Sequence, residues 1–424
     1  MELELIKQIL TSSPPGFFGA NVYDEQEIAA AVRVVYNQSP FRYYGPKCTF
    51  EAQHFEEEAA AYYGVKHALT TNSGSGALLL AFHAMDVGPG DEVIIPGFFW
   101  IAVSNTILLR GAIPVVAEVD LTLNMDPADL RKKISPKTKA VVAVHMYGGQ
   151  ANIVEIAKIC REKKIALLED ASQCNGGAIG GKKIGAHGDI GISSLQLNKV
   201  ITAGEGGLLL TNNPSYHQKA FARSDMGYPR SSGVSSAEAK SSVITIGEGR
   251  RFNEIAAAIM RVQLAKLPGI AKAMGESKRA MEAGLRPTVD CAPRAVVDPA
   301  GDLGSSQVII FKNAADAEAF CAAGRKLFGN EAWFMSVLVN SGLHVYFNCS
   351  NLVEKIPVLP GGFPWNLPEN KGNYHYEKGT CPNTDALLAR SVGTFIPPDL
   401  GPLHRDARVE AMNLAFREIA NRRP

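Results

Sequence analysis

Between residues 65 and 210, short β-rich runs alternate with stretches of helical periodicity, and this alternation restricts the chain to few folds. Val65–Thr71, Glu92–Ile95, Ile113–Val119, Lys139–Met146 and Ile165–Glu169 read as strands, with Leu208–Thr211 as one more. Ser75–Met85, Trp100–Arg110 and Ile153–Lys164 carry apolar residues at helical spacing between them. Runs such as "AVVAVHM" and "IALLE" are almost wholly apolar, as strands are when helices cover both faces of their sheet. The expected fold class is therefore α/β, a mostly parallel sheet flanked by helices. Ligands of such sheets sit at the carboxyl ends of the strands.

The pattern changes after Gly207. Ser231–Gly249 is rich in Ser and Gly and reads as a loop, Phe252–Leu267 as a helix, and a second helix runs to about Leu285. Pro287–Leu303 reads as a connector, Val308–Phe311 and Gly342–Phe347 as strands, and Leu359–Lys371 as a Gly/Pro-rich loop before two late helices. Residues 1–285 are expected to form a large domain with an N-terminal arm, and 286–424 a smaller α/β domain. Composition narrows the function classes. Lys and Arg number 43 against 42 Asp and Glu, for a net charge of +1, which argues against a general nucleic-acid binder. No apolar run reaches the ~18–20 residues of a membrane span, and MELELIKQIL lacks the pattern of a secretory signal, so a cytoplasmic protein is expected. The seven cysteines are odd in number and contain no CxxC pair, which suggests neither a disulfide framework nor a metal site.

Three segments carry chemistry. In "HALTTNSGSGALLLAF" a strand gives way to a helix through Ser73-Gly74-Ser75-Gly76. Small residues and the free N–H groups of a first helical turn can cradle a phosphate, although the same pattern also serves as an ordinary helix cap. In "ALLEDASQCNGG" an apolar strand ends in Glu169-Asp170. A carboxylate there can hold a metal, bond a ribose, pair with a protonated ring nitrogen, or simply cap the strand. In "ISSLQLNKVITAGEGGLLL" Lys199 stands among apolar residues near the hydroxyls of Ser193, Ser194 and Thr202. A desolvated lysine can attack a carbonyl; an ordinary lysine is solvated. A fourth segment, "GGAIGGKK", only approaches a nucleotide-binding loop. Lys183 stands where Ser or Thr would be needed and no helix pattern follows, so it reads as a Gly-rich hairpin. A cradle, a carboxylate and a reactive lysine are together what pyridoxal 5′-phosphate requires.

With those segments and "FEEEAAAYYGVKHALTTNSGSGAL", "VGPGDEVIIPGFFWIAV", "LNMDPADLRKKISPKTKAVVAVHMYG", "LLEDASQ", "GDIGISSLQLNKVITAGEGG" and "TCPNTDALLARSV", the chain resembles the DegT/DnrJ/EryC1/StrS sugar aminotransferases over nearly its whole length. The resemblance implies a fold-type I pyridoxal-phosphate enzyme working as a homodimer with sites at the subunit interface. It makes Lys199 the Schiff-base lysine, Asp170 the partner of the pyridine nitrogen and Gln173 the residue beside the ring hydroxyl. It also makes Ser194, Gly74, Ser75 and Gly76 phosphate ligands, and Trp100 the aromatic stacked on the ring. The family's dehydratase branch has His in place of the lysine, so Lys199 favours transamination. Where the family has an Asn reaching the neighbouring subunit's phosphate, Gly249 stands here, and Arg250, Arg251 or Asn253 are candidates to replace it. "FRYYGP" and "GEGRRFNE" look most like the branch that aminates C8 of an oxidised 3-deoxy-octulosonic acid (Kdo) to the 8-amino-3,8-dideoxy analogue, Kdo8N, a lipopolysaccharide sugar. That acidic acceptor makes Arg42 the candidate carboxylate ligand, with Tyr43 beside it. Enzymes for nucleotide-linked ketosugars or inososes are the alternatives. A pyridoxal-phosphate lyase and a non-catalytic regulator on this fold are more remote.

Overall fold

The computed structural model describes residues 1–14, 16–228 and 243–421. Most of the expected Ser/Gly loop Ser231–Gly249 therefore lies outside the described residues. Nine strands belong to the first half: β1 His67–Thr71, β2 Glu92–Pro96, β3 Ile113–Ala117, β4 Thr138–Val144, β5 Ala166–Asp170, β6 Ala178–Ile179, β7 Lys182–Lys183, β8 Ile190–Ser194 and β9 Gly207–Thr211. Seven of them form one sheet in the order β1-β9-β8-β5-β4-β2-β3. Its β8-β5-β4-β2-β3 part is parallel, whereas β9 runs antiparallel to both β1 and β8. β1 consequently points the same way as β5 and β8, and the carboxyl ends of β1, β2, β4, β5 and β8 share one edge. The strands are buried on both faces, with β2 and β9 buried at every position.

The short β6 and β7 pair as a hairpin whose turn residues Gly180 and Gly181 have φ of 59° and 76°. Such left-handed backbone is the conformation a two-residue hairpin turn asks of glycine. That settles "GGAIGGKK" as a hairpin.

The second half departs from expectation in three places. The two helices expected between Phe252 and Leu285 are one helix, Glu254–Gly284, with Pro268 inside it. An interior proline costs about 3 kcal/mol. Burial of Leu264, Leu267, Ile270 and Met274 on either side outweighs that, at about 1.5–3 kcal/mol for each large apolar side chain. The strand expected at Gly342–Phe347 is instead a pair of 3₁₀ turns, Gly342–His344 and Tyr346–Asn348, touching the sheet region through a single bridge between Phe98 and Val345. A helix at Ala314–Phe328 and a strand at Ser391–Phe395 were not anticipated from the sequence. That strand, β13, completes an antiparallel sheet ordered β10-β11-β13-β12, with β10 at Cys291–Pro293, β11 at Ser306–Phe311 and β12 at Ser336–Val337.

This smaller sheet has its own core, where Phe311, Phe320, Trp333 and Phe416 meet. The first helix, Leu3–Thr11, packs its Ile6, Ile9 and Leu10 into that same core, although the chain reading groups it with the large domain. Among the described residues no helix is long and apolar enough to cross a membrane. All seven cysteines are free thiols.

Candidate active site

The shared strand edge opens into a cavity of about 630 Å³, lined among others by Ser73, Gly74, Ser75, Trp100, Asp170, Gln173, Ser194, Lys199 and His344. The turn after β1 starts the helix Gly74–Ala84, and Ser73 caps it by accepting the Gly76 N–H at 3.0 Å. Two contacts press this helix end against the next strands. A Cβ on Gly74 would lie 2.7 Å from Cβ of Ser194, and one on Gly207 would lie 2.2 Å from the Ser73 carbonyl oxygen. Only bare backbone fits at both places, so the first-turn N–H groups and the Ser75 and Ser194 hydroxyls converge on one corner. The dipole at this helix N-terminus favours an anion there.

Successive residues of a strand face opposite ways, and Glu169 and Asp170 divide accordingly. Glu169 is fully buried behind the sheet, accepting the N–H groups of Gly185, His187 and Gly188 and meeting Nε2 of His145 at 3.3 Å. Burial pushes its carboxyl up, but the bonds from His145 and the backbone outweigh it and hold the group below the usual carboxylate range. It is a structural anchor. Asp170 faces the cavity, is only 4% exposed, and accepts the Ser172 N–H at 3.0 Å. The Ser172 hydroxyl in turn accepts the Ser194 N–H at 2.9 Å, tying the ends of β5 and β8 together.

Lys199 sits in the loop between β8 and β9. That loop is braced by Thr202, whose hydroxyl donates to the Leu195 carbonyl at 2.9 Å and accepts the Gly204 N–H at 2.9 Å. The N-terminal segment closes over it, with the Gly19 N–H donating to the Lys199 carbonyl at 3.1 Å. Burial pushes the Lys199 ammonium below its ordinary range, opposed in part by the charge of Asp170. The amine is thereby held closer to its nucleophilic, uncharged form.

Trp100 precedes the helix Ala102–Leu109 rather than opening it, and at 42% exposed it lies at the cavity mouth, not in the core. Its ring stands 4.8 Å from that of His344. Gln173 is fixed from behind, its Oε1 accepting the Tyr147 N–H at 2.8 Å. Tyr147 holds a left-handed backbone with φ of 52°, unusual for an aromatic residue. The buried Arg294 imposes this by donating to the Met146 and Tyr147 carbonyls at 3.1 and 3.2 Å, and Phe98 and Phe395 stack on the Tyr147 ring. Sequence reading missed Tyr147, Arg294 and His344. The "HMYGG" segment directly after β4 was the one available signal, since strand ends on this edge carry the site.

Arg42 and Tyr43 do not join the cavity. Both terminal nitrogens of Arg42 donate to the Glu56 carboxylate at 3.0 Å, and the guanidinium stacks on Tyr43 at 5.1 Å. Arg42 is 7% exposed, and Glu56 also accepts the Thr70 N–H and hydroxyl. The expectation of a free fork for a substrate carboxylate is therefore corrected: Glu56 already occupies it. Breaking one side of such a buried pair costs about 3–5 kcal/mol. Arg42→Met is expected to lower the melting temperature by several degrees, read by calorimetry, and to leave the substrate KM unmoved.

Gly249 has φ of 63°, a conformation that Gly and Asn tolerate best, so the backbone there suits the family's Asn as well. Of the candidate substitutes, Asn253 caps the helix Glu254–Gly284, Arg250 pairs with Glu248 and Arg251 with Asp225. None of the three reaches this chain's own cavity.

Residues 22–312 match the DegT/DnrJ/EryC1/StrS aminotransferase family. The chain belongs to that family. Its members are pyridoxal-phosphate-dependent, and the fold-type I architecture expected from the sequence is the one observed. GDP-perosamine synthase of Vibrio cholerae is 41% identical over 174 residues, 41% of this chain and 47% of that protein. L-glutamine:2-deoxy-scyllo-inosose aminotransferase of Streptoalloteichus tenebrarius is 37% identical over 223 residues, 50% of this chain and 51% of that protein. The chain thus spans about half the length of the curated relatives it matches. A crystal structure of 3-amino-5-hydroxybenzoic acid synthase superposes with a TM-score of 0.73 at 25% identity, covering 97% of this chain and 100% of that one.

The residues present fit pyridoxal phosphate. Gly74, Ser75 and Ser194 would hold its phosphate, Asp170 its ring nitrogen, Gln173 and Trp100 its ring, and Lys199 its aldehyde; Gly76, expected among the phosphate ligands, is buried off the cavity with its N–H taken by Ser73. When bound, the cofactor supplies an electron sink for charge developing on a substrate carbon.

Proposed function

We propose that this protein is a pyridoxal-phosphate-dependent aminotransferase that moves the amino group of an amino acid, glutamate or glutamine, to a keto- or aldehydo-sugar. The observation that carries the reading is a desolvated Lys199 amine opening onto the same cavity as a buried Asp170 and an uncluttered helix N-terminus. Lys199 is the group that takes and returns the proton at the substrate carbon, a task suited to an amine whose pKa has been brought down. Adding glutamate to the reconstituted enzyme should convert the cofactor to its pyridoxamine form, followed by absorbance. Release of a substrate fragment without that conversion would instead identify a lyase.

For the acceptor, "FRYYGP" and "GEGRRFNE" support an octulosonic acid oxidised at C8, although Arg42 does not contribute to that reading. The inosose and perosamine relatives support a ring ketone, free or nucleotide-linked, as the second reading. Comparing kcat/KM for the three acceptor types with the glutamate-loaded enzyme separates them.

The active unit is taken to be a homodimer. Among the described residues lining the cavity, Lys199 is the only lysine or arginine, so a doubly charged phosphate and a substrate carboxylate have no other fixed cation within one chain. Arg250 and Arg251 of a second copy are the candidates to supply it. Light scattering is expected to give twice the 45.5 kDa chain mass at assay concentration, and a fully active monomer would refute it.

A further inference from the structure

His344, in the turn Gly342–His344, lies 171 positions along the chain from Gln173, yet their side chains meet in the cavity. The backbone explains why. The Phe99 N–H donates to the His344 carbonyl at 2.9 Å, and the Tyr346 N–H donates to the Gly97 carbonyl at 3.1 Å. His344 is therefore held against the loop that carries Trp100.

Hydrogen bonding allows its ring one arrangement. Nδ1 lies 3.0 Å from the Ser341 carbonyl, which can only accept, so Nδ1 bears the hydrogen. Nε2 then offers its lone pair, and it faces Nε2 of Gln173 at 3.4 Å. The Gln173 oxygen is already engaged by the Tyr147 N–H, so the end turned to His344 is the NH₂ group. Donors and acceptors alternate from Tyr147 through Gln173 and His344 to Ser341 without conflict. Burial and the nearby charge of Lys199 both push the imidazolium pKa down, which keeps the lone pair available.

We infer that His344 is a positioning residue that pins the second end of the Gln173 amide, so that Gln173 presents N–H, and not an acceptor, to the cofactor side of the cavity. Tyr147 alone would leave the amide free to swing about one hydrogen bond; two anchors fix its plane. The inference rests on the pyridoxal phosphate reading, in which Gln173 stands beside the ring hydroxyl. An N–H donor there favours the ionised oxygen, and the bound cofactor's absorption band reports that ionisation.

The test compares His344→Phe, which keeps the aromatic contact with Trp100 but has no lone pair, with His344→Gln, which restores an acceptor at similar reach. His344→Leu repeats the first arm should the phenyl ring fail to fit. Each is reconstituted with pyridoxal phosphate. The Phe variant should show a shifted cofactor band and a glutamate half-reaction slowed about tenfold, the scale of one positioned hydrogen bond, with the glutamate KM within about twofold. The Gln variant should recover both to within about threefold of the parent. An unchanged band and rate in the Phe or Leu variant would overturn the inference, as would a Gln variant no better than Phe. Borohydride treatment of the parent, followed by peptide mass, reads the cofactor assignment separately. Absence of a label on Lys199 would sink that assignment and this inference together, whereas a labelled parent with indifferent His344 variants would sink the inference alone.

Discussion

Lys199→Ala is expected to retain the fold and still take up pyridoxal phosphate, yet to lose turnover by about 10⁴-fold or more. The expectation follows from how the site divides its labour. The proposed phosphate corner is built from Ser73 to Ser75 and Ser194, and the proposed ring contacts from Asp170, Gln173 and Trp100, none of which depends on the Lys199 side chain for its position. The loop is held by backbone bonds through Gln196 and Gly19 and by the Thr202 hydroxyl, all of which survive truncation. What disappears is the amine that, on the proposed reading, bonds the cofactor aldehyde and carries the substrate proton. Positioned general acid–base groups contribute about 10²–10⁴-fold, and loss of the covalent role adds to it. Lys199→Arg should be nearly as inactive, because a guanidinium keeps its proton and is no nucleophile. Cofactor content by absorbance, borohydride labelling and steady-state rates check the three parts, and turnover within tenfold of the parent would remove Lys199 from the chemistry.

The residues of this division were legible in the sequence to the extent that each lies directly after a strand. Strand periodicity located β1, β4 and β5 within a residue or two, whereas β8 was not read as a strand, and the topology then brought the ends of all four to one edge. Ser73 and Asp170 were recoverable for that reason, and Ser194 only through the family resemblance. His344 was not, because consecutive 3₁₀ turns have neither the period of two nor that of 3.6, and its partners come from loops after β2 and β5. Pro268 misled for a related reason: local propensity ends a helix there, and only the burial on both sides, invisible in a short window, continues it. Arg42 failed differently. A lone arginine among tyrosines says nothing about Glu56 fourteen positions later, and the helix Glu51–Tyr63 is what turns that carboxylate toward it.

Asp170→Asn is the second large effect expected, about 10²-fold or more in the half-reaction with glutamate, with the protein's melting temperature within a few degrees of the parent. Asn is nearly isosteric and its Oδ1 can still accept the Ser172 N–H, so the tie between β5 and β8 survives. The backbone carbonyl of residue 170 continues to accept the His145 N–H. The substitution removes one negative charge that is 4% exposed and therefore poorly screened by water. Two consequences follow from that single change. A ring nitrogen bound opposite an amide loses the charge that keeps it protonated, and with it much of the cofactor's capacity to accept electrons; preorganised charges of this kind are worth about 10²–10³-fold. Asp170 is also the one group that raises the Lys199 pKa against burial, so its loss should move the Lys199 amine further down. The acid limb of the pH–rate profile should then shift to lower pH while the maximal rate falls. A structural cap would show no rate loss. Activity within a few-fold of the parent, with an unmoved profile, would reduce Asp170 to a brace between two strands.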